Sequence, residues 1–275
     1  MQATADLTKL SDLPSQTNES QGVFTPNLEG SIHFNNVQFA YPERPEIPVL
    51  KDVNLEITDG ECVAIVGSSG SGKSTIASLL QRLYEPVSGS ITIGHTDVRA
   101  IEISHLRNGV SVVSQQPNLF DASIAENIRY GNTAISDVDI RTAAKAANVH
   151  QFIMELPQGY DTVVGENASL ISGGQAQRIQ IARALARPGA RILILDECTS
   201  ALDPENEAAV METIRSVKKG RTTVMVTHKV EVMRMCDRIV VIGDGVVQEQ
   251  GTYEDLMERK GVFATLASGG EWVGA

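Results

Sequence analysis

Cysteine, basic charge and long apolar runs are all scarce in this sequence of 275 residues. Its three cysteines, Cys62, Cys198 and Cys236, form an odd and scattered set with no metal-type spacing. That pattern excludes a disulfide framework and reads as free thiols in a reducing compartment. Lys and Arg total 23 against 34 Asp and Glu, a formal net charge of −11. Broad, sequence-blind nucleic-acid binding runs on basic surface and is disfavoured, although a local phosphate site needs only a few backbone amides and one Lys. No apolar stretch approaches the ~18–20 residues of a membrane-spanning helix. The longest runs, around Cys62–Val66, Ile192–Leu195 and Ile239–Ile242, have strand length. The first residues lack the basic start and apolar stretch of a secretory signal. With 42% hydrophobic residues, the expectation is a soluble, intracellular, acidic protein of one or two domains.

Residues 1–30 are rich in Ser, Thr, Asn, Gln and Pro and hold no period of 2 or 3.6. They read as a flexible linker, with an ordered arm lying on the domain as the alternative. From Ser31 the texture changes. Ser31–Ala40 alternates like a strand, with a turn expected at Asn35-Asn36. Val49–Ile57 suggests a second strand. Cys62–Val66 is a continuous apolar run between Gly60 and Gly67, the look of a buried parallel strand. Ile76, Leu79, Leu80 and Leu83 then fall at i, i+3, i+4, i+7, which predicts a helix over Ser74–Leu83. Residues 118–186 read as mostly helical. Strands at Ile192–Leu195, Thr223–Val226 and Ile239–Ile242 alternate with helical stretches such as Glu205–Val217. That alternation implies an α/β domain with a largely parallel sheet.

Two motifs carry phosphate chemistry. Gly67-Ser68-Ser69-Gly70-Ser71-Gly72-Lys73-Ser74-Thr75 fits G-x4-G-K-[ST] between an apolar strand and an amphipathic helix, the context such a loop requires. The glycines permit a tight loop whose N–H groups face phosphate oxygens, and the helix N-terminus adds its dipole. Lys73 would reach the β- and γ-phosphates and the Ser74 hydroxyl would ligate Mg²⁺. Arg191-Ile-Leu-Ile-Leu-Asp196-Glu197 is a buried strand ending in two acids. Asp196 would hold Mg²⁺, and Glu197 would orient or deprotonate the attacking water. Together the two motifs point to a P-loop nucleotide hydrolase.

Ile171-Ser172-Gly173-Gly174-Gln175, ahead of the helical stretch Ala176–Ala186, narrows the reading. Here the sequence resembles the ATP-binding cassette (ABC) family, whose signature is L-S-G-G-Q. The resemblance covers roughly residues 31–267, leaving 268–275 as a tail. It implies an α/β P-loop NTPase core with an antiparallel β subdomain and a helical subdomain at about 118–186. It also implies roles for further residues. Tyr41 matches the aromatic that stacks on adenine, and Gln115 the Q-loop residue that senses Mg²⁺ and the γ-phosphate. Asp203 closes the D-loop segment Ser200-Ala-Leu-Asp203, and His228 matches the switch histidine. Catalysis would then rest on Glu197, His228, Lys73 and Gln115. ATP would be held by Tyr41, Gly67–Thr75 and Gln115, together with Ser172, Gly173, Gly174, Gln175 and Asp203. The metal would fall to Ser74, Gln115 and Asp196. The segments Phe39–Pro45, Ser123–Ile128, Val164-Gly-Glu166 and Glu249–Thr252 look like the exporter branch of multidrug, peptide and pheromone transporters. Val164–Glu166 resembles the X-loop that touches the membrane domain.

Several positions depart from the family pattern. Ile171 replaces the signature Leu, and Ala176 stands for a usual Lys or Arg expected on an exposed face. Gln116 replaces a common Glu, Asn167-Ala168 a common Arg-Gly, and Cys198 a small residue beside Glu197, where a redox-sensitive thiol is conceivable. None removes a catalytic group. The resemblance implies an ATPase that binds ATP and Mg²⁺ and closes head to tail on a second cassette, identical or paralogous. It would power export through a transmembrane domain at the cytoplasmic face of a membrane, with no nucleic-acid partner. The alternative is a soluble ABC ATPase acting on nucleic acid or the ribosome. Such proteins carry coiled-coil insertions, tandem cassettes or basic arms, and none is visible here.

Overall fold

The computed structural model describes residues 21–165, 171–187, 189–200, 202–218 and 220–268. The chain runs through β1 (Ile32–Phe39), β2 (Leu50–Ile57), β3 (Cys62–Val66), α1 (Lys73–Leu80), β4 (Ser88–Ile93), β5 (Thr96–Asp97), α2 (Ile103–Gly109) and β6 (Val110–Val113). A helical stretch follows: α3 (Ile124–Arg129), α4 (Asp137–Ala146), α5 (His150–Glu155), a 3-10 turn at Gly159–Asp161 and α6 (Gly173–Ala186). The remainder is β7 (Ile192–Asp196), α7 (Pro204–Val217), β8 (Thr222–Val226), α8 (Val230–Met233), β9 (Arg238–Gly243), β10 (Val246–Gly251), α9 (Tyr253–Arg259) and α10 (Val262–Ala267).

The apolar runs assemble into a six-stranded sheet of order β10-β9-β3-β8-β7-β6. All its pairings are parallel except the β9–β10 hairpin. That hairpin turns through Asp244 and Gly245, both with positive φ, the geometry a two-residue connection demands. Strands β3 and β8 are buried at every position because the sheet is covered on both faces. Val63 and Ile65 of β3 pack toward the smaller sheet and α1, while Ala64 and Val66 meet Met233, Leu256 and Phe263 on the other side.

The smaller sheet is antiparallel, in the order β2-β1-β4-β5. Strand β1 does not turn at Asn35-Asn36 as the sequence suggests. It carries a bulge there and continues to Phe39. Asn36 adopts φ 50°, and its side chain donates to Asp52 Oδ1 at 2.7 Å. The irregularity lets Ile32, Phe34, Val37 and Phe39 all face inward although their spacing breaks strict alternation.

Helix α1 ends sooner than its apolar spacing predicts. Arg82 takes a left-handed φ of 50°, and Leu83 is left half exposed. The Arg82 side chain turns inward instead, donating to Glu85 Oε1 at 3.0 Å and to the Ile101 carbonyl at 3.1 Å. Between β6 and β7 lies the helical region. Its helices α3, α4 and α6 each start with a capping box: Ser123 with Glu126, Ser136 with Asp139, and Ser172 with Gln175. Among the described residues, no helix is long and apolar enough to cross a membrane.

Part of the N-terminal stretch is ordered. The N–H groups of Val23 and Phe24 donate to the Ala100 carbonyl, and Glu102 N donates back to Phe24 O at 2.8 Å. Leu28 is buried so closely against Gly109 that a Cβ there would meet Leu28 Cδ1 at 2.1 Å. Residues 21–30 therefore lie along the domain as an arm. The rest of the linker falls outside the described residues.

Arg82 is 2% exposed, and its removal deletes its bonds to Glu85 and to the Ile101 carbonyl. Arg82→Ala is expected to cost about 2–4 kcal/mol of stability in urea unfolding. A cost under about 1 kcal/mol would show that the inward guanidinium contributes nothing net.

Candidate functional site

Strand β3 ends at Val66, and the chain needs a tight loop before α1 can start at Lys73. Gly67 makes that loop possible. A Cβ there would meet the Ile242 carbonyl oxygen at 2.1 Å and Ser71 Oγ at 2.8 Å. Gly70 and Gly72 take φ values of 79° and 104°, which side-chain-bearing residues resist. Ser71 N donates to Ser68 O at 3.2 Å and closes the turn. Gly72 is the N-cap of α1 and has no side chain to offer, so the first-turn N–H groups stay uncapped by side chains. The Ser71 hydroxyl is buried with no hydrogen-bond partner. An uncapped helix start, a glycine-lined loop and an orphan hydroxyl together fit an anion cradle.

Lys73 projects over this loop. Its Nζ donates to the carbonyls of Gly67 at 3.0 Å and Ser68 at 2.6 Å. Burial holds its pKa below the usual lysine value, with the charges of Glu197 and Asp196 acting in the opposite sense. Those two acids come from the end of β7. Helix α1 packs under β7 and β8, so its first residues and the end of β7 converge. Burial raises the Asp196 pKa, and the neighbouring charge of Glu197 adds to the rise. A hydrogen bond with Ser74 and the charge of Lys73 oppose it. Ser74 and Asp196 are therefore side by side, a hydroxyl and a carboxylate of the hard-oxygen kind that Mg²⁺ takes. Among the described residues no group of three or more His, Cys, Asp and Glu forms a metal cage. A Mg²⁺ ion here would depend on phosphate oxygens to complete its shell, its usual manner of binding.

Glu197 sits in a left-handed conformation, φ 46°, that non-glycine residues rarely adopt. Three bonds hold it. Its N–H donates to Val226 O at 2.9 Å, and its carbonyl accepts from Ser200 N at 3.0 Å and Ser200 Oγ at 2.9 Å. The Ser200 hydroxyl in turn accepts from Gln115 Nε2 at 3.0 Å. Gln115 is thereby joined through Ser200 to the backbone of Glu197. His228 Nδ1 stands 3.6 Å from Glu197 Oε1, a close approach beyond hydrogen-bond range. The D-loop motif includes Ser200, but its bonds to Gln115 and Glu197 are not legible in the motif.

Tyr41 reaches the helix that follows the loop. Its hydroxyl and Thr75 Oγ1 are 3.0 Å apart, and its ring meets Phe39 and Tyr84 edge to face. It is thus tied to the first turn of α1. The signature segment is placed elsewhere. Ser172 caps α6, accepting from Gln175 N, while Gln175 Oε1 accepts from Ser172 N at 2.8 Å. A Cβ on Gly174 would meet Asn206 Oδ1 at 2.1 Å. Asn206 Nδ2 donates to Asp203 Oδ2 at 2.6 Å, and Asp203 caps α7. Gly174 and Asp203 are therefore joined through Asn206, and the signature's contacts run toward α7. Of the expected X-loop, Val164 is fully buried, whereas Glu166, Asn167 and Ala168 lie outside the described residues.

Two departures from the family pattern have a different setting from the one expected. Ala176 is 1% exposed, so it faces the core and offers no surface contact. Its methyl belongs to the core that the helical region shares with the large sheet. Cys198 is fully enclosed, and burial pushes its thiol up to about 12. Burial thus disfavours the thiolate, the form that a redox-sensitive cysteine needs.

Residues 50–200, more than half of the chain, match the family model described as ABC transporter. The chain is 47% identical over 254 residues to ATP-binding cassette sub-family B member 5 of Homo sapiens, covering 92% of this chain and 20% of that protein. It is 47% identical over 254 residues to ABC transporter B family member 28 of Arabidopsis thaliana, covering 92% of this chain and 35% of that one. The mitochondrial potassium channel ATP-binding subunit of Mus musculus is 46% identical over 248 residues, covering 89% of this chain and 34% of its own. The solved structure of a bacterial Atm1-family ABC exporter with ATP bound superposes with a TM-score of 0.85 at 36% identity, covering 99% of this chain and 47% of that one. The chain thus spans only a fifth to about a third of the length of these curated relatives. It belongs to the ABC transporter family and corresponds to its ATP-binding domain.

Proposed function

We propose that this chain is the ATP-hydrolysing motor of an exporter and works as half of a head-to-tail pair closed over two ATP molecules. The observation that carries the reading is the convergence of Lys73, Ser74, Asp196 and Glu197 at one loop, with Gln115 bonded through Ser200 to Glu197. ATP in the solved structure of the bacterial Atm1-family exporter supports it.

The γ-phosphate reacts through a loose transition state, so positioning and charge neutralisation matter most. Lys73 exchanges its two loop carbonyls for β- and γ-phosphate oxygens, and the uncapped amides of Lys73, Ser74 and Thr75 face the same anion. Tyr41 stacks on the adenine. Mg²⁺, when bound, supplies further neutralisation of phosphate charge; Ser74 and Asp196 would hold it, with Gln115 reaching from its loop. Glu197 orients the attacking water and accepts its proton, and His228 contacts the γ-phosphate. The rigid backbone bonds to Val226 and Ser200 keep the Glu197 carboxylate aimed.

Ser172, Gly173 and Gly174 are turned toward α7, with Leu202 and Asn206 beside them. They serve the ATP held by a second cassette, identical or paralogous, whose own signature serves this one. ATP then becomes part of the interface, and hydrolysis loosens it. The export path lies in a transmembrane domain, and the chain works at the cytoplasmic face of the membrane that holds it.

Glu197→Gln is expected to lower kcat by about 10²–10⁴-fold with ATP affinity retained. Turnover at the wild-type rate would overturn the general-base assignment. In size-exclusion chromatography, the same variant with Mg-ATP should elute as a dimer that reverts to monomer when the nucleotide is removed. A monomer at every ATP concentration would contradict pairing between identical copies and point to a paralogous partner.

A further inference from the structure

Cys62 opens β3, and Cys236 lies in the turn between α8 and β9. Though 174 residues apart in sequence, their Sγ atoms are 3.6 Å apart. The two backbones are locked together at this point: Cys62 N donates to Asp237 Oδ2 at 2.8 Å, and Asp237 N donates to Cys62 O at 2.8 Å. These bonds hold the two cysteines next to each other. Cys62 is buried and Cys236 is half-buried, so one member of the pair meets solvent.

The surroundings favour reactivity in this pair and not in Cys198. Hydrogen bonding between the two thiols holds the Cys62 pKa below its usual value and raises that of Cys236. The Lys218 ammonium, which donates to the Met235 carbonyl, adds positive charge beside both sulfurs. Asp237 and Glu61 act against it at Cys62. A shared proton and a nearby cation let the pair carry one thiolate between them.

We propose that Cys62 and Cys236 are a modification site: a dithiol that closes to an intramolecular disulfide when the chain meets a peroxide. The one thiolate that the pair carries attacks one peroxide oxygen. The O–O bond breaks, giving a sulfenic acid at that sulfur and hydroxide. The thiol of the other cysteine then attacks that sulfur, the S–O bond breaks, and water leaves as the S–S bond forms. The proton given up when the thiolate formed neutralises the hydroxide. Two thiols are oxidised by two electrons and one peroxide is reduced to two waters. The new bond joins the root of the strand that carries Gly67 to the end of α8, the helix that begins two residues after His228. It is a redox-operated latch on the two segments that flank the phosphate site.

The test is intact-mass spectrometry of the 275-residue chain treated with hydrogen peroxide while folded, then denatured and alkylated with N-ethylmaleimide. The chain mass should fall by about 2 Da before alkylation, with a single alkylation afterwards. Peptide mapping should place the bond between Cys62 and Cys236, and dithiothreitol should restore three alkylations. Cys198→Ser should keep the bond, and Cys236→Ser should abolish it. Three alkylations after oxidation, oxygen addition at Cys236 without a linked peptide, or a bond formed only between chains would each overturn the proposal.

Discussion

The rest of the site depends on one close approach, that of Gly67 to the carbonyl of Ile242. Strand β3 is paired on both sides, by β8 and by β9, and every residue in it is buried. It therefore delivers its last residue to a fixed point. At that point the neighbouring strand leaves no room for even a Cβ. The chain can pass only as glycine, and it then turns through Gly70 and Gly72 into a helix whose N-terminus has no side-chain cap. Lys73 and Ser74 are positioned by that turn, and Ser74 is what meets Asp196.

A second constraint sits two strands away. Glu197 is held left-handed by bonds to Val226 and Ser200, and Ser200 is also the acceptor for Gln115. This strained backbone falls on the acid that follows Asp196, and strained residues tend to collect at functional sites. The same serine connects the loop after β6 to the loop after β7. Gln115 and the Glu197 backbone are thus two hydrogen bonds apart. The signature segment stands outside this network and is joined instead to Asp203 through Asn206.

Motif and periodicity carried much of this into view. The apolar runs of four or five residues marked buried parallel strands because only a sheet covered on both faces tolerates them. The phosphate loop was legible because its glycines answer to backbone geometry. What stayed hidden was set by tertiary packing. Asn35-Asn36 reads as a turn, yet pairing on both sides makes it a bulge. Leu83 continues the apolar stripe of α1, yet Arg82 leaves the helix to bury its guanidinium. Ala176 reads as a surface position and is enclosed. Ser200 is legible as the start of the D-loop, yet its bonds to Gln115 and Glu197 are not, since they depend on which two loops it lies between.

The most direct test of the central claim is isothermal titration of Mg-ATP into the chain with Gly67 replaced by alanine, alongside the unaltered chain. Circular dichroism of both should confirm that the sheet survives. The unaltered chain should bind one ATP, and Gly67→Ala should lose roughly 100-fold or more in affinity, because the added methyl drives the loop from the Ile242 carbonyl and out of its cradle. Equal affinity in the two folded proteins would contradict the account.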